Sequence, residues 1–161
     1  AFRERGPQAA AEARERFMRE VIEPHLQPAA RALVEGHRQA GDEVIIITAT
    51  NEFVTTPIAR AFGVEHLIAV ELARDAQGWY TGDIAGVPSF REGKVARLEQ
   101  WLHARGLDWA DVHTTFYSDS HNDLPLLEKA TVPVATNPGQ RLRAIARERG
   151  WRILDLFAEH A

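Results

Sequence analysis

Thr114-Thr115-Phe116-Tyr117-Ser118-Asp119-Ser120-His121-Asn122-Asp123 is the stretch on which the reading of the fold turns. It opens with β-favouring residues, Thr114 to Tyr117, and runs straight into two carboxylates four positions apart. An apolar, helix-compatible run, Leu124 to Ala130, follows. A buried strand that ends in acid at its carboxyl end puts charge where open α/β sheets bind ligands. Asp119 and Asp123 on one tight loop, with oxygen from Ser118, Ser120 and Asn122 nearby, suit a hard cation such as magnesium, Mg2+. The same residues admit a plainer reading, with Asp123 as a helix N-cap and Asp119 as a turn residue.

Outward from this stretch, strands alternate with helices. Pro28 sits well as the first residue of a helix that runs through Arg38 and closes at Gly41. Glu43 to Thr48 is a continuous β-branched run of the kind found in strands buried on both faces. Thr50 and Asn51 end it, and a helix from about Phe53 to Phe62 follows, with Pro57 near its first turn. Leu67 to Leu72 and Trp79 to Ile84 flank Asp75-Ala76-Gln77-Gly78, which is hairpin chemistry. Gly86, Pro88 and Gly93 mark a loop. Lys94 to Ala104 carries Val95, Leu98, Trp101 and Leu102 on one stripe and ends before Gly106. Beyond the acidic loop, Val132 to Ala135 reads as a strand, Arg141 to Arg149 as a helix and Trp151 to Leu156 as an edge strand. At the other end, Gln8 to Val21 reads as a helix with a polar outer face. This order predicts an α/β fold with a parallel sheet and right-handed crossovers.

Composition narrows the function classes. The chain has 161 residues, a net charge of −4, 45% hydrophobic residues and no cysteine. The length suffices for one domain with a real core. The charge gives no basic field for nucleic acid, and the missing cysteine removes disulfides and thiolate metal sites. No apolar run reaches a membrane span, and no signal-peptide core opens the chain, so the expected location is cytoplasmic, with no membrane and no nucleic acid among its partners. The His residues show no H-x-x-x-H spacing for zinc. Nothing in the sequence sets an oligomeric state.

Of 19 basic residues only Lys94 and Lys129 are lysine. Lys94 begins a helix after a glycine-containing loop, where a cation works against the macrodipole by roughly 0.3–1 kcal/mol. An anion held beside it reverses that sign, so Lys94 reads as a phosphate-facing charge. Thr50 and Asn51 close a strand where a helix begins, which makes either an anion site or a plain helix cap. A hydroxyl, then a lysine, then paired carboxylates is a phosphate-plus-magnesium arrangement.

In this order and context the chain resembles the haloacid dehalogenase-like superfamily of phosphohydrolases, and within it the phosphoserine-phosphatase-like subfamily. The resemblance rests on Thr50 within Ile47-Thr48-Ala49-Thr50-Asn51, on Lys94 within Phe90-Arg91-Glu92-Gly93-Lys94, and on Asp119 and Asp123 after a strand. The hairpin Leu67 to Ile84 is similar to the family's, and the likeness runs from about residue 16 onward. It implies a Rossmann-like three-layer core with a parallel sheet, here residues 31–161, with residues 1–30 as the remnant of a helical cap. It implies Lys94 and Thr50 as catalytic groups, Thr50, Asn51, Lys94 and Asn122 as phosphate contacts, and Asp119 and Asp123 as ligands of magnesium. The implied activity is magnesium-dependent hydrolysis of a small phosphorylated metabolite, phosphoserine and histidinol phosphate being examples, through an aspartyl-phosphate. Two departures bear on the substrate: Asn51 and Glu52 stand where phosphoserine phosphatases have glycines, and Ser118 and Ser120 replace glycine around Asp119.

The family's first motif, D-x-D-x-T, is absent: no Asp precedes Asp42, and no D-x-D occurs anywhere. Without the nucleophilic Asp the covalent route does not exist. The strand that carries it is central in the family. Burying about four of its apolar side chains is worth ~6–12 kcal/mol, close to the net stability of a domain, ~5–15 kcal/mol. The expectation is therefore an incomplete core, a fragment inactive alone, in which the flanking strands at Val44–Ile47 and Thr114–Tyr117 either pair directly or keep open edges. The alternative is a catalytically silent relative that binds a phosphorylated ligand or a protein. A nucleotide-binding domain is disfavoured because neither G-x-G-x-x-G nor G-x-x-x-x-G-K-[ST] follows a strand. A receiver-like domain lacks its acceptor Asp near the N-terminus.

Overall fold

The structure, a computed structural model, describes residues 28–156. The helix expected over Gln8 to Val21, and with it almost all of the segment read as a cap remnant, lies outside the described residues. The described residues divide into two compact units, residues 28–88 and 89–156.

In the first unit, α1 (Pro28–Gln39) starts on its proline and gives way to Gly41 at φ +85°. Next come β1 (Ile45–Asn51), α2 (Glu52–Ala61), β2 (His66–Arg74) and β3 (Tyr80–Ala85). The sheet order is β1-β2-β3. β1 runs parallel to β2, with Ile45 opposite His66 and Ile47 opposite Ile68, and the register shifts before Asn51, opposite Val70. β2 and β3 form the expected antiparallel hairpin, with Leu72 opposite Ile84. Its turn is held by the Asp75 carboxylate, which accepts from the backbone N–H groups of Gln77 and Trp79 at 2.9 and 3.0 Å. Phe53 meets the buried Tyr80 edge-to-face, ring centroids 5.7 Å apart, with Leu72 against both.

Two expectations change here. The run Val44 to Thr48 is half-buried rather than buried on both faces. β1 is an edge strand of its sheet, so one side has no neighbouring strand among the described residues. Pro57 is not in the first turn of α2 but is its sixth residue. Asn51 caps the helix, so that α2 begins at Glu52, one residue earlier than read. The hydroxyls of Thr55 and Thr56 donate back to the i−4 carbonyls of Asn51 and Glu52 at 2.9 and 2.6 Å, the back-bonding that threonine makes inside a helix.

In the second unit, α3 (Glu92–His103) leads to a 3-10 turn (Trp109–Asp111), β4 (Thr115–Ser118), a second 3-10 turn (His121–Asp123), α4 (Leu124–Lys129), β5 (Val132–Thr136), α5 (Gln140–Arg149) and β6 (Arg152–Leu154). The three strands are parallel in the order β4-β5-β6, with Thr115 opposite Val132, Ser118 opposite Ala135 and Ala135 opposite Ile153. The core is Leu127, Ala135, Leu142 and Ala146, with Phe116, Leu124, Trp151 and Ile153 packed around it. α5 ends on Gly150 at φ +69°, a left-handed cap that only glycine takes at little cost. The fold is α/β with parallel sheets and a hairpin, Rossmann-like, in agreement with the sequence. The strands appear as two three-stranded sheets in which β1 and β4 are each edge strands.

β6 is tied back to α5 by Arg143, whose guanidinium donates twice to Asp155, at 2.7 and 3.2 Å. These hydrogen bonds, aided by the charges of Arg143 and Arg147, hold the exposed Asp155 carboxyl below its ordinary value, against an opposing desolvation. A depressed carboxyl favours the folded chain above the unfolded pKa, and that contribution disappears as pH falls through the folded value. Arg143→Gln is expected to raise the Asp155 midpoint, followed by NMR, toward 3.8. An unmoved midpoint would show that the tie does not persist in solution.

Candidate functional site

β4 delivers its last residue, Ser118, into a buried position at the carboxyl end of the strand. The Ser118 hydroxyl accepts from the backbone N–H of Ser120 at 3.1 Å and donates to Asp123 Oδ2 at 2.5 Å. Ser120 caps the following 3-10 turn by accepting from the Asn122 N–H at 3.1 Å. This folds the acidic loop tightly enough to turn Asp123 inward.

The other oxygen of Asp123 meets Lys94. Nζ lies 2.7 Å from Oδ1, and the two side chains are only 8% and 10% exposed. Asp123 makes no side-chain cap to α4, so its carboxylate serves the ion pair rather than the helix. Lys94 is the third residue of α3, in the first turn, as expected. The anion found beside it is the Asp123 carboxylate, where the sequence reading had a phosphate. A lysine ammonium has three donors, so others remain for a second anion.

Asp119 is exposed on the same loop, and Asn122 is half-buried. Asn122 Oδ1 accepts from Arg91 Nη2 at 3.3 Å. The donors on this loop, two carboxylates, two hydroxyls and an amide, are oxygen-bearing. They fit a hard cation, and a carboxylate oxygen has lone pairs for both a lysine and a metal.

The remaining candidates belong to the first unit. Thr50 is exposed near the end of β1, and its N–H donates to Thr48 Oγ1 at 3.1 Å. Asn51 Oδ1 accepts from the Val54 N–H at 3.1 Å, which is the helix cap weighed from the sequence. The structure thus brings together Lys94, Asp123, Ser118 and the loop of Asp119 and Asn122 in one unit, with Thr50 and Asn51 on the other.

Ser118 and Arg91 were under-read from the sequence. Ser118 registers there only as a metal-side oxygen and a replaced glycine, not as the donor that orients Asp123. Nothing in Phe90-Arg91-Glu92-Gly93 signals a bond to a residue 31 positions on. A separate cluster, Glu99, His103 and Asp108, has ligand atoms within 4.8 Å of one another. Asp108 there is committed to a capping box with Asp111.

A profile of haloacid dehalogenase-like hydrolases matches residues 1–128. A histidinol-phosphatase of Neisseria meningitidis serogroup C is 47% identical over 146 residues, 90% of this chain and 66% of that protein. A phosphoserine phosphatase of Mycobacterium tuberculosis is 36% identical over 136 residues, 84% of this chain and 43% of that protein. A crystal structure of a protein of unknown function from Bordetella pertussis Tohama I superposes with a TM-score of 0.93 at 53% identity, over 97% of this chain and 70% of that one. The chain spans no more than 66% of either curated relative.

Proposed function

The chain belongs to the haloacid dehalogenase-like hydrolase family, and from that premise we propose that it carries the metal- and phosphate-binding part of a magnesium-dependent phosphatase acting on a small phosphorylated metabolite. The observation that carries this reading is the buried Lys94–Asp123 pair at the carboxyl end of β4. Burying both charges is a poor way to gain stability, since desolvation offsets the attraction. A buried, charged pair beside an exposed carboxylate on a ligand-binding edge suits a functional site.

Each residue has a role in this reading. Asp119 and Asp123 hold magnesium, whose charge, when bound, neutralises phosphoryl oxygens. Lys94, fixed by Asp123, donates to a phosphoryl oxygen, and the Asn122 amide donates to another. Thr50 and Asn51, which belong to the other unit, enter this reading as candidate phosphate contacts on the family resemblance alone. The nucleophile of the family route is an Asp in D-x-D-x-T, which these 161 residues do not contain. The reading therefore concerns binding and charge, not the covalent step. A cytoplasmic location is part of the proposal; among the described residues, no helix is long and apolar enough to cross a membrane.

The test is hydrolysis of p-nitrophenyl phosphate by the protein expressed from its whole open reading frame. Activity should vanish in EDTA and return with excess magnesium. Histidinol phosphate is the first natural ester to try, given the 47% identical relative, and phosphoserine the second. The second reading is a catalytically silent relative that binds a phosphorylated ligand or a protein. Calorimetry separates them: phosphate binding without turnover supports the silent relative.

A further inference from the structure

Arg91 occupies a backbone conformation that its side chain makes unfavourable. Its φ is +51° and its ψ −122°. The Gly93 N–H donates to the Phe90 carbonyl at 2.9 Å, which closes a tight turn with Arg91 at its first central position. Those angles belong to a type II′ turn, where glycine is the residue of choice. An arginine held there points to a use for its side chain.

Among the described residues, the side chain has one polar partner in a distant part of the unit. Arg91 Nη2 donates to Asn122 Oδ1 at 3.3 Å, while the guanidinium also lies over the Phe90 ring, 5.0 Å from its centroid. A guanidinium carries only donors, so only the oxygen of the Asn122 amide can face it. The amide is thereby prevented from flipping, and its NH2 is turned away from Arg91, ready to donate to an anion. Arg91, Glu92, His121, Asn122 and Arg141 line one open groove of about 300 Å³. Its two arginines outnumber the one carboxylate, Glu92, which leaves the groove net positive toward a phosphate ester.

We propose that Arg91 is a positioning residue, held in a strained turn so that its guanidinium fixes the Asn122 amide with its N–H groups presented to the substrate phosphate. The inference rests on the proposed phosphatase reading for the ligand, but not for the contact. Losing one orienting hydrogen bond is worth about three- to tenfold in affinity.

The experiment uses the protein from its whole open reading frame and the variants Arg91→Gly, Arg91→Lys, Asn122→Ala and Arg91→Gly/Asn122→Ala. Arg91→Gly relaxes the turn, so its thermal midpoint should not fall. Its KM for p-nitrophenyl phosphate and its Kd for inorganic phosphate should rise about three- to tenfold, with kcat changed less than about twofold. Arg91→Lys, which still offers a donor, should recover part of the loss. In the Asn122→Ala background Arg91→Gly should add nothing. An equal loss in that background, or no loss in either, overturns the proposal. The Asn122 side-chain amide signals in NMR report the contact without any ligand, and Arg91→Gly should shift and broaden them. A wild-type protein that neither hydrolyses nor binds phosphate, yet shows that shift, sinks the phosphatase reading and leaves the positioning contact standing. Unmoved amide signals sink the contact, whatever the activity.

Discussion

Asp119→Asn is expected to cut Mg2+-dependent p-nitrophenyl phosphate turnover by about 10²–10³-fold while shifting stability by no more than about 0.5 kcal/mol. The two halves of this expectation come from different facts. Asp119 is exposed, and its side chain makes no hydrogen bond or ion pair among the described residues, so the fold does not depend on it. Asparagine matches its shape but has no charge, and a divalent cation with hard-oxygen preference binds a lone amide oxygen weakly. On the proposed reading the loss should be partly reversed by raising magnesium, because the variant would weaken metal binding and leave the proposed phosphate contacts in place. Saturating magnesium at unchanged, low activity would mean that Asp119 acts on the substrate directly. Turnover equal to wild type would take Asp119 out of the site altogether.

The position of Asp119, on an exposed loop straight after a strand, was legible in the sequence for the same reason the fold was. Strand, acid, then helix is a local pattern, written within a dozen residues, and local patterns carry most of this architecture. The hairpin around Asp75-Ala76-Gln77-Gly78, the proline start of α1 and the Gly150 cap each rest on backbone preferences of one or two residues. Where neighbours decide, the reading failed. The isoleucines of β1 are as apolar as a doubly buried strand requires, but burial depends on what lies alongside, and β1 is at an edge. Pro57 was misplaced because the start of α2 is set by the Asn51 cap, not by the first apolar residue. At the site, the residue types were legible and their pairing was not. Lys94 stood out as a lysine in an arginine-rich chain, yet its partner lies 29 positions away and was assigned to metal alone. Arg91 gave no signal, because a strained turn position is invisible until the backbone is known.

Lys94 and Asp123 yield the other large effect, and it separates stability from function. Asp123→Asn leaves the Lys94 ammonium, whose side chain is only 8% exposed, facing a neutral amide. Lys94→Met leaves the Asp123 carboxylate with the Ser118 hydroxyl as its remaining side-chain donor. Breaking a buried pair from one side costs about 3–5 kcal/mol, because the surviving charge stays desolvated. At about 2–4 °C per kcal/mol for a chain of this size, either single variant should melt roughly 6–20 °C lower. Lys94→Met/Asp123→Leu removes both charges and fills the space with apolar groups. Such replacements are often neutral or stabilising, so the double variant should regain most of the lost midpoint. Hydrolysis in the whole protein should nevertheless stay absent in all three. Recovery of the midpoint without recovery of activity would support the proposed role of the pair in phosphate binding, against a role in the fold alone. A double variant as unstable as the singles would instead make the pair a structural element that packing cannot replace, and the case for Lys94 as a phosphate ligand would lose its main support.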